Sequence, residues 1–432
     1  MQALLSFEQA PPLNAPLRFF LTAPLFGVIA GLLLLLEGEG VLLSRWSPSA
    51  LALTHLLTLG FMLQIMIGAL IQVLPVVAGA NLKHPRFLAQ LVHATLSLGA
   101  LLLAAGFVFA INPALHAGAA LLVFSVGFFL LSAIRALHGV PSSSPTIRGI
   151  KLALFGLFGT VLLGVFLLVA LRQGTTFSLV ALTELHAGWG LGAWSAVLLA
   201  AVAYVVVPMF QLTPGYPARP AWWFSIGMTG LLVLWSLAVW LDVDLLIRLA
   251  KGLLALSGMA FCALTLRLQS RRRRAKSDAT SRYWKLGMIS TFLALSMMLT
   301  AAISPALGGL EAWSFCFAVL LIAGGIFSFM IGMLYKIVPF LAWLHLQYLG
   351  KGQVTAPTMN KLLPDSAMQR QFYAHQCGIV LLFLAAVFPE WGARLAGLGL
   401  MLSLLWLEFN LLAVVRRYRN FASEIAGSLV PG

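Results

Sequence analysis

The chain has 432 residues, of which 61% are hydrophobic and only 9% charged, with a mean hydropathy of +0.98. Soluble domains carry about 25% charged residues, so this composition excludes a water-borne globule and makes lipid the solvent. The formal net charge of +15 invites a nucleic-acid partner, but the placement of the basic residues, described below, argues against one.

An apolar run of about 20 residues crosses a bilayer as a helix that satisfies its own backbone. The runs here are continuous rather than alternating, which excludes a barrel. About twelve spans are predicted, at 18–43, 50–78, 87–111, 114–138, 148–171, 179–211, 221–241, 245–268, 284–304, 312–343, 372–389 and 394–416. The first follows a Pro-rich start, APPLNAPLRFF, and shows no small-residue cleavage site, so it reads as an uncleaved helix. Glu37 and Glu39 sit toward its far end, about 200° apart around a helix, so at most one faces the bundle centre.

The second span holds His55 and ends near Pro75; the third holds His93; the fourth opens on His116 and closes on Arg135. The sixth carries Glu184, His186 and Pro208, and the eighth ends near Arg267. A basic run, Arg271 to Lys276, follows and reads as a topology anchor near anionic headgroups. The tenth span carries Glu311, Trp313 and Cys316 at one end and Pro339 at the other. A polar stretch from Gln347 to Arg370 comes next and reads as a mobile loop. His375 lies in the eleventh span, and Glu408 and Arg416 lie in the twelfth.

These landmarks recur. Pro75 and Pro208 are 133 residues apart, and Pro208 and Pro339 are 131 apart. Arg135 follows Pro75 by 60 residues, Arg267 follows Pro208 by 59, and Arg416 follows Pro339 by 77, the polar stretch accounting for the surplus. Self-similarity at a fixed period marks a repeat architecture. The expected fold is therefore all-α and integral to the membrane: one domain over 1–432, built of three four-helix repeats at about 18–138, 148–268 and 284–418, with 347–370 as a cytoplasmic loop.

Most of the 27 Lys and Arg residues fall on one side of the twelve-span arrangement, among them Lys83, Arg86, Arg148, Lys151, Arg219, Lys285 and Arg417. Arg45, Arg172 and Arg394 are among the few on the other. That bias puts both termini in the cytoplasm of a bacterial-type inner membrane. It also explains the net charge without nucleic acid. Cys262, Cys316 and Cys377 all lie within spans and form no disulfide framework.

Histidine is costly in hydrocarbon and marks a functional site there. His55 precedes Pro75 by 20 residues and His186 precedes Pro208 by 22, so both sit about 30 Å from their prolines, at one depth on the non-cytoplasmic side. Gly60 and Gly68 follow the first, and Gly188, Gly190 and Gly192 the second; such small faces admit close helix contact or a flat cofactor. His116, on the same side, is a candidate third metal ligand. Glu184 either orients a histidine or faces water. The third repeat has no equivalent histidine. His93 and His375 form a second matched pair at the other depth, suited to a proton or substrate path or to packing.

HLLTLGFMLQIMIGALIQVLP and HAGWGLGAWSAVLLAAVAYVVVP resemble the histidine-bearing helices of the haem–copper oxidase superfamily catalytic subunit, which includes the nitric oxide reductases. Twelve helices in three four-helix arcs fit the same architecture. The resemblance implies that His55 ligates a low-spin haem and that His186 ligates the active-site copper. Two departures stand beside it. RPAWWFSIGMTGLLVLW lacks the His-His pair that the family uses for copper, and EAWSFCFAV lacks its His-x-His. The expectation is a divergent member that is not a conventional oxygen reductase. It would bind haem b, or copper, through His55 and His186 with His116 nearby, and would serve electron transfer or diatomic-gas handling beside respiratory-complex subunits or as a homo-oligomer. A cofactor-free scaffold or assembly subunit is the alternative, and a transporter the second.

Overall fold

The computed structural model describes residues 7–273, 278–350 and 353–428, with the side chains of Arg172 and Glu311 outside the description; the basic run from Arg274 onward also lies outside it. Among the described residues the structure is helical, without a strand. Eleven helices are long and apolar enough to cross a membrane: α1 (Asn14–Val41), α2 (Pro48–Ala78), α3 (Pro85–Val108), α4 (Asn112–Leu137), α5 (Pro145–Leu171), α6 (Leu179–Gln211), α7 (Ala218–Trp240), α8 (Asp244–Ser270), α9 (Ala279–Ile303), α10 (Ala312–Leu349) and α12 (Pro389–Ser428). The chain is thus a multi-pass helical membrane protein. The span predicted at 372–389 corresponds to α11, Asp365–Val387, whose opening DSAMQRQFYAHQ is markedly more polar than the rest.

The helix starts are written locally. Ser47, Ser144, Ser178 and Asp278 each accept a hydrogen bond from the backbone N–H three residues on, opening α2, α5, α6 and α9. Proline fills the first helical position after Ser47 and Ser144, where its missing N–H costs nothing. Gly79, at φ +64°, ends α2 in the left-handed region that glycine adopts freely.

Three well-buried helices meet one another inside the bundle. The most apolar stretch of α2 is buried over 72% of its residues, that of α10 over 56% and that of α6 over 50%, against 22% for α5 and for α9. They touch one another: Phe61 of α2 lies on Phe327 of α10 with ring centres 4.1 Å apart, Ser195 of α6 reaches Met66 of α2, and Phe210 of α6 meets Phe340 of α10 at 6.0 Å. All three contain a wide π-helical segment: Leu56–Leu63 in α2, Trp189–Ala196 in α6 and Val319–Phe327 in α10. These begin 19, 19 and 20 residues before Pro75, Pro208 and Pro339 respectively. Nothing in the hydropathy announced them. Pro75 and Pro208 lie within the last turn of their helices, but α10 runs on ten residues past Pro339 to Leu349.

The first and last of these long helices close on each other. A Cβ added at Gly31 of α1 would lie 2.6 Å from the Met401 backbone N, and one at Gly397 of α12 would lie 2.4 Å from that of Leu35. Only glycine allows backbones to approach so closely.

Several buried polar side chains are paired across helices. Asn410 donates to Tyr335 Oη at 2.9 Å; Tyr283 donates to Gln371, which in turn donates to Ser403 O at 3.0 Å. Leu362 and Leu363 are buried, and Arg417 donates to Leu362 O at 2.8 Å. Around Leu362 the polar stretch from Gln347 to Arg370 is thus packed against α12 rather than loose; its first residues, to Leu349, belong to α10 and its last, from Asp365, to α11. The α-helical part of α1 ends at Glu37, so Glu39 belongs to a 3₁₀ turn; both carboxylates are exposed and neither faces the centre.

Candidate functional site

The matched prolines of α2 and α6 place two histidines at one height, and the structure brings them together. The His55 and His186 ring centres are 6.4 Å apart, with planes inclined by 26°. His55 sits at the last α-helical position before the π segment of α2, and His186 three residues before that of α6. π-segments recur at functional sites.

Each ring is fixed by a backbone carbonyl. His55 Nδ1 donates to Leu51 O at 2.7 Å, one turn back on its own helix. His186 Nδ1 donates to Thr160 O at 3.0 Å, on α5. A carbonyl only accepts, so the proton is on Nδ1 in both neutral rings and the Nε2 lone pairs remain for a metal. Phe107 of α3 lies 5.5 Å from His55 at 29°, and Gly164 of α5 leaves just enough room for His186: a Cβ there would meet Cε1 at 3.1 Å.

Two imidazoles that bind one ion from opposite sides, each nitrogen about 2 Å from it, hold their ring centres roughly 6 Å apart. The observed separation of the ring centres is of that order. The glycines of these helices are used differently. Added Cβ atoms at Gly60, Gly188 and Gly192 would meet Phe26 at 2.3 Å, Trp235 at 2.5 Å and Leu232 at 3.1 Å, so these glycines serve helix contact.

Glu184 does not orient His186. Its carboxylate receives Lys251 Nζ of α8 at 2.6 Å and lies 3.9 Å from Arg45 Nη2. Lys251 also lies 5.0 Å over the Trp235 ring, whose edge packs on Gly188. This cluster sits two residues from His186 and leaves two cations on one carboxylate at that end of the bundle. Sequence reading missed Lys251 and Phe107. A lysine seven residues past the start of α8, at the end with few basic residues, was the available signal for the first; Phe107 carried none.

His116 is half-buried at the start of α4, with Nδ1 donating to Asn112 O at 2.7 Å. Among the described residues no three His, Cys, Asp or Glu side chains are grouped for a metal, so His116 is not drawn into a three-ligand set with the pair. Cys316 is buried, and no disulfide engages Cys262, Cys316 or Cys377. His93 Nε2 shares a hydrogen bond with Thr22 Oγ1 at 2.8 Å, and His375 Nε2 one with Ser328 Oγ at 2.9 Å. Each of these two rings thus ties its helix to a neighbour. His345 Nδ1 does the same with Tyr418 Oη at 2.8 Å.

No protein-family model matches the chain, and no curated protein sequence is similar to it.

Proposed function

We propose that the chain is a redox-type membrane protein that holds one haem b, or a single copper ion, between His55 and His186. The observation that carries this reading is the pair itself: ring centres 6.4 Å apart, each Nδ1 committed to a carbonyl. Iron or copper there supplies one-electron chemistry, so the site serves electron transfer or diatomic-gas handling. The protein's own residues do the rest. Leu51 O and Thr160 O orient the ligands, Phe107 covers one ring, and Arg45 and Lys251 keep positive charge above the site.

The three π-segments at one register, on three helices that meet inside the bundle, support a reading of the chain as three four-helix units about a pseudo-threefold axis. The asymmetry of basic residues supports both termini in the cytoplasm of a bacterial-type inner membrane, with the histidine pair toward the opposite face. Partnership with respiratory-complex subunits, or a homo-oligomer, belongs to the same reading.

A cofactor-free scaffold is the second reading. The closure of Gly60, Gly188 and Gly192 by neighbouring side chains favours it over a macrocycle slot. A visible spectrum and metal assay of the full chain in detergent separate the two. A haem or copper absorption lost in both His55→Ala and His186→Ala supports the first reading; a colourless, metal-free wild type overturns it.

A further inference from the structure

At the opposite end of the bundle, α11 and α12 border a groove of about 780 Å³ lined by Arg370, Arg417, Glu408, Asn410 and apolar side chains. Its volume is that of a small-molecule site, but its wall is a lipid-facing one: Leu405, Phe409 and Leu412 are 41%, 70% and 48% exposed. Three observations indicate what fills it. Glu408 is 7% exposed, and its Oε2 is buried without a hydrogen-bond partner. An orphaned carboxyl oxygen in hydrocarbon requires an explanation. Among the described residues, neither Arg370 nor Arg417 pairs with a carboxylate. Finally, the groove lies at the end of the bundle that carries most of the basic residues.

Depth orders these groups. Arg417 is nine residues beyond Glu408 on α12, about 13 Å along the axis, and donates to Leu362 O. Antiparallel pairing of Gln371 with Ser403 and of Ala367 with Asn410 puts Arg370 within about one turn of Glu408, on the deeper side. From the surface inward the order on α12 is Arg417, Leu412, then Phe409 with Glu408, then Leu405 near the level of Arg370. A glycerophospholipid offers a phosphate for the guanidiniums, ester carbonyls for the carboxyl and acyl chains for the apolar wall.

We infer that this groove is a binding site for one anionic phospholipid. Its phosphate lies between Arg370 and Arg417, Glu408 gives an O–H to an ester carbonyl, Phe409 and Leu412 flank the glycerol region, and its chains run inward over Leu405. Guanidiniums without a carboxylate partner in a basic pocket at this leaflet favour an anionic over a zwitterionic headgroup. This site is independent of the histidine pair.

The test uses the full chain in detergent with an equimolar mixture of phosphatidylglycerol and phosphatidylcholine of matched chains. Lipid retained through gel filtration is counted by native mass spectrometry. The wild type is expected to retain one phosphatidylglycerol in preference, and each of Arg370→Gln and Arg417→Gln to weaken it about fivefold. Glu408→Leu is expected to weaken both lipids alike, since both carry esters. Equal retention of the two lipids by the wild type overturns the proposal, and this measurement needs no variant to fold. Unchanged preference in a folded R370Q/R417Q double variant overturns it as well.

Discussion

Gly164 offers a way to move a proposed ligand without touching it. In Gly164→Ala the new Cβ would sit 3.1 Å from His186 Cε1, whereas ordinary contact begins at 3.4 Å and extends to 4 Å. The ring or α5 must therefore give by at least 3.4 − 3.1 = 0.3 Å. The ring is tied by Nδ1 to Thr160 O, one turn back on the same helix as Gly164, so α5 cannot retreat without carrying the anchor with it. Metal–ligand distances tolerate about 0.2 Å, and disturbing a ligand's support lowers metal affinity by about 10–100-fold. Gly164→Ala should lower affinity by that order while the fold is kept. The assay is titration of haem, and separately of copper, into metal-stripped protein, followed by absorbance. Gly127→Ala, where a Cβ meets nothing within 4 Å, is the control. If Gly164→Ala and Gly127→Ala bind alike, His186 is not held as a ligand and the argument from its cradle fails.

The remaining predictions are cheaper. His116→Ala should leave any absorption band in place, while His55→Ala removes it; a band lost in His116→Ala would put that residue in the ligand set. Glu184→Gln should reduce stability by no more than about 1 kcal/mol, since Lys251 and Arg45 remain partly in water, and added salt should shrink the difference in thermal midpoint. Gly31→Leu should prevent a folded protein from being recovered, because two backbones block it, whereas Gly427→Ala, with open space around it, should have no effect on expression or midpoint. Reporter fusions at the two ends should both report cytoplasm, and a fusion active on the far side would reverse the orientation.

The helices and the histidine pair were legible in the chain for the same reason: both depend on position along a helix. Hydropathy marks where a span must lie, and the distance from each histidine to its proline fixes depth. Rotation around the axis is a different quantity. The π-segments alter that rotation, carry no hydropathy signal, and stand between each histidine and its proline. Lys251 and Glu184 meet across 67 residues of sequence, which no local pattern encodes. The glycines after the histidines allowed two readings from sequence, and neighbouring side chains such as Phe26 and Trp235 decided for packing. α11 was visible only from residue 372, because Asp365, Gln369, Arg370 and Gln371 make its first turns polar, although Gln371 is buried.

The contact between Gly31 and Gly397 has a consequence for biogenesis. α1 leaves the ribosome first and α12 last among the twelve, so a seam of the bundle stays unsealed until α12 has been inserted. A product cut short before Gly397 would leave bare glycine ridges facing lipid, a signature by which membrane quality control can tell an unfinished copy from a finished one.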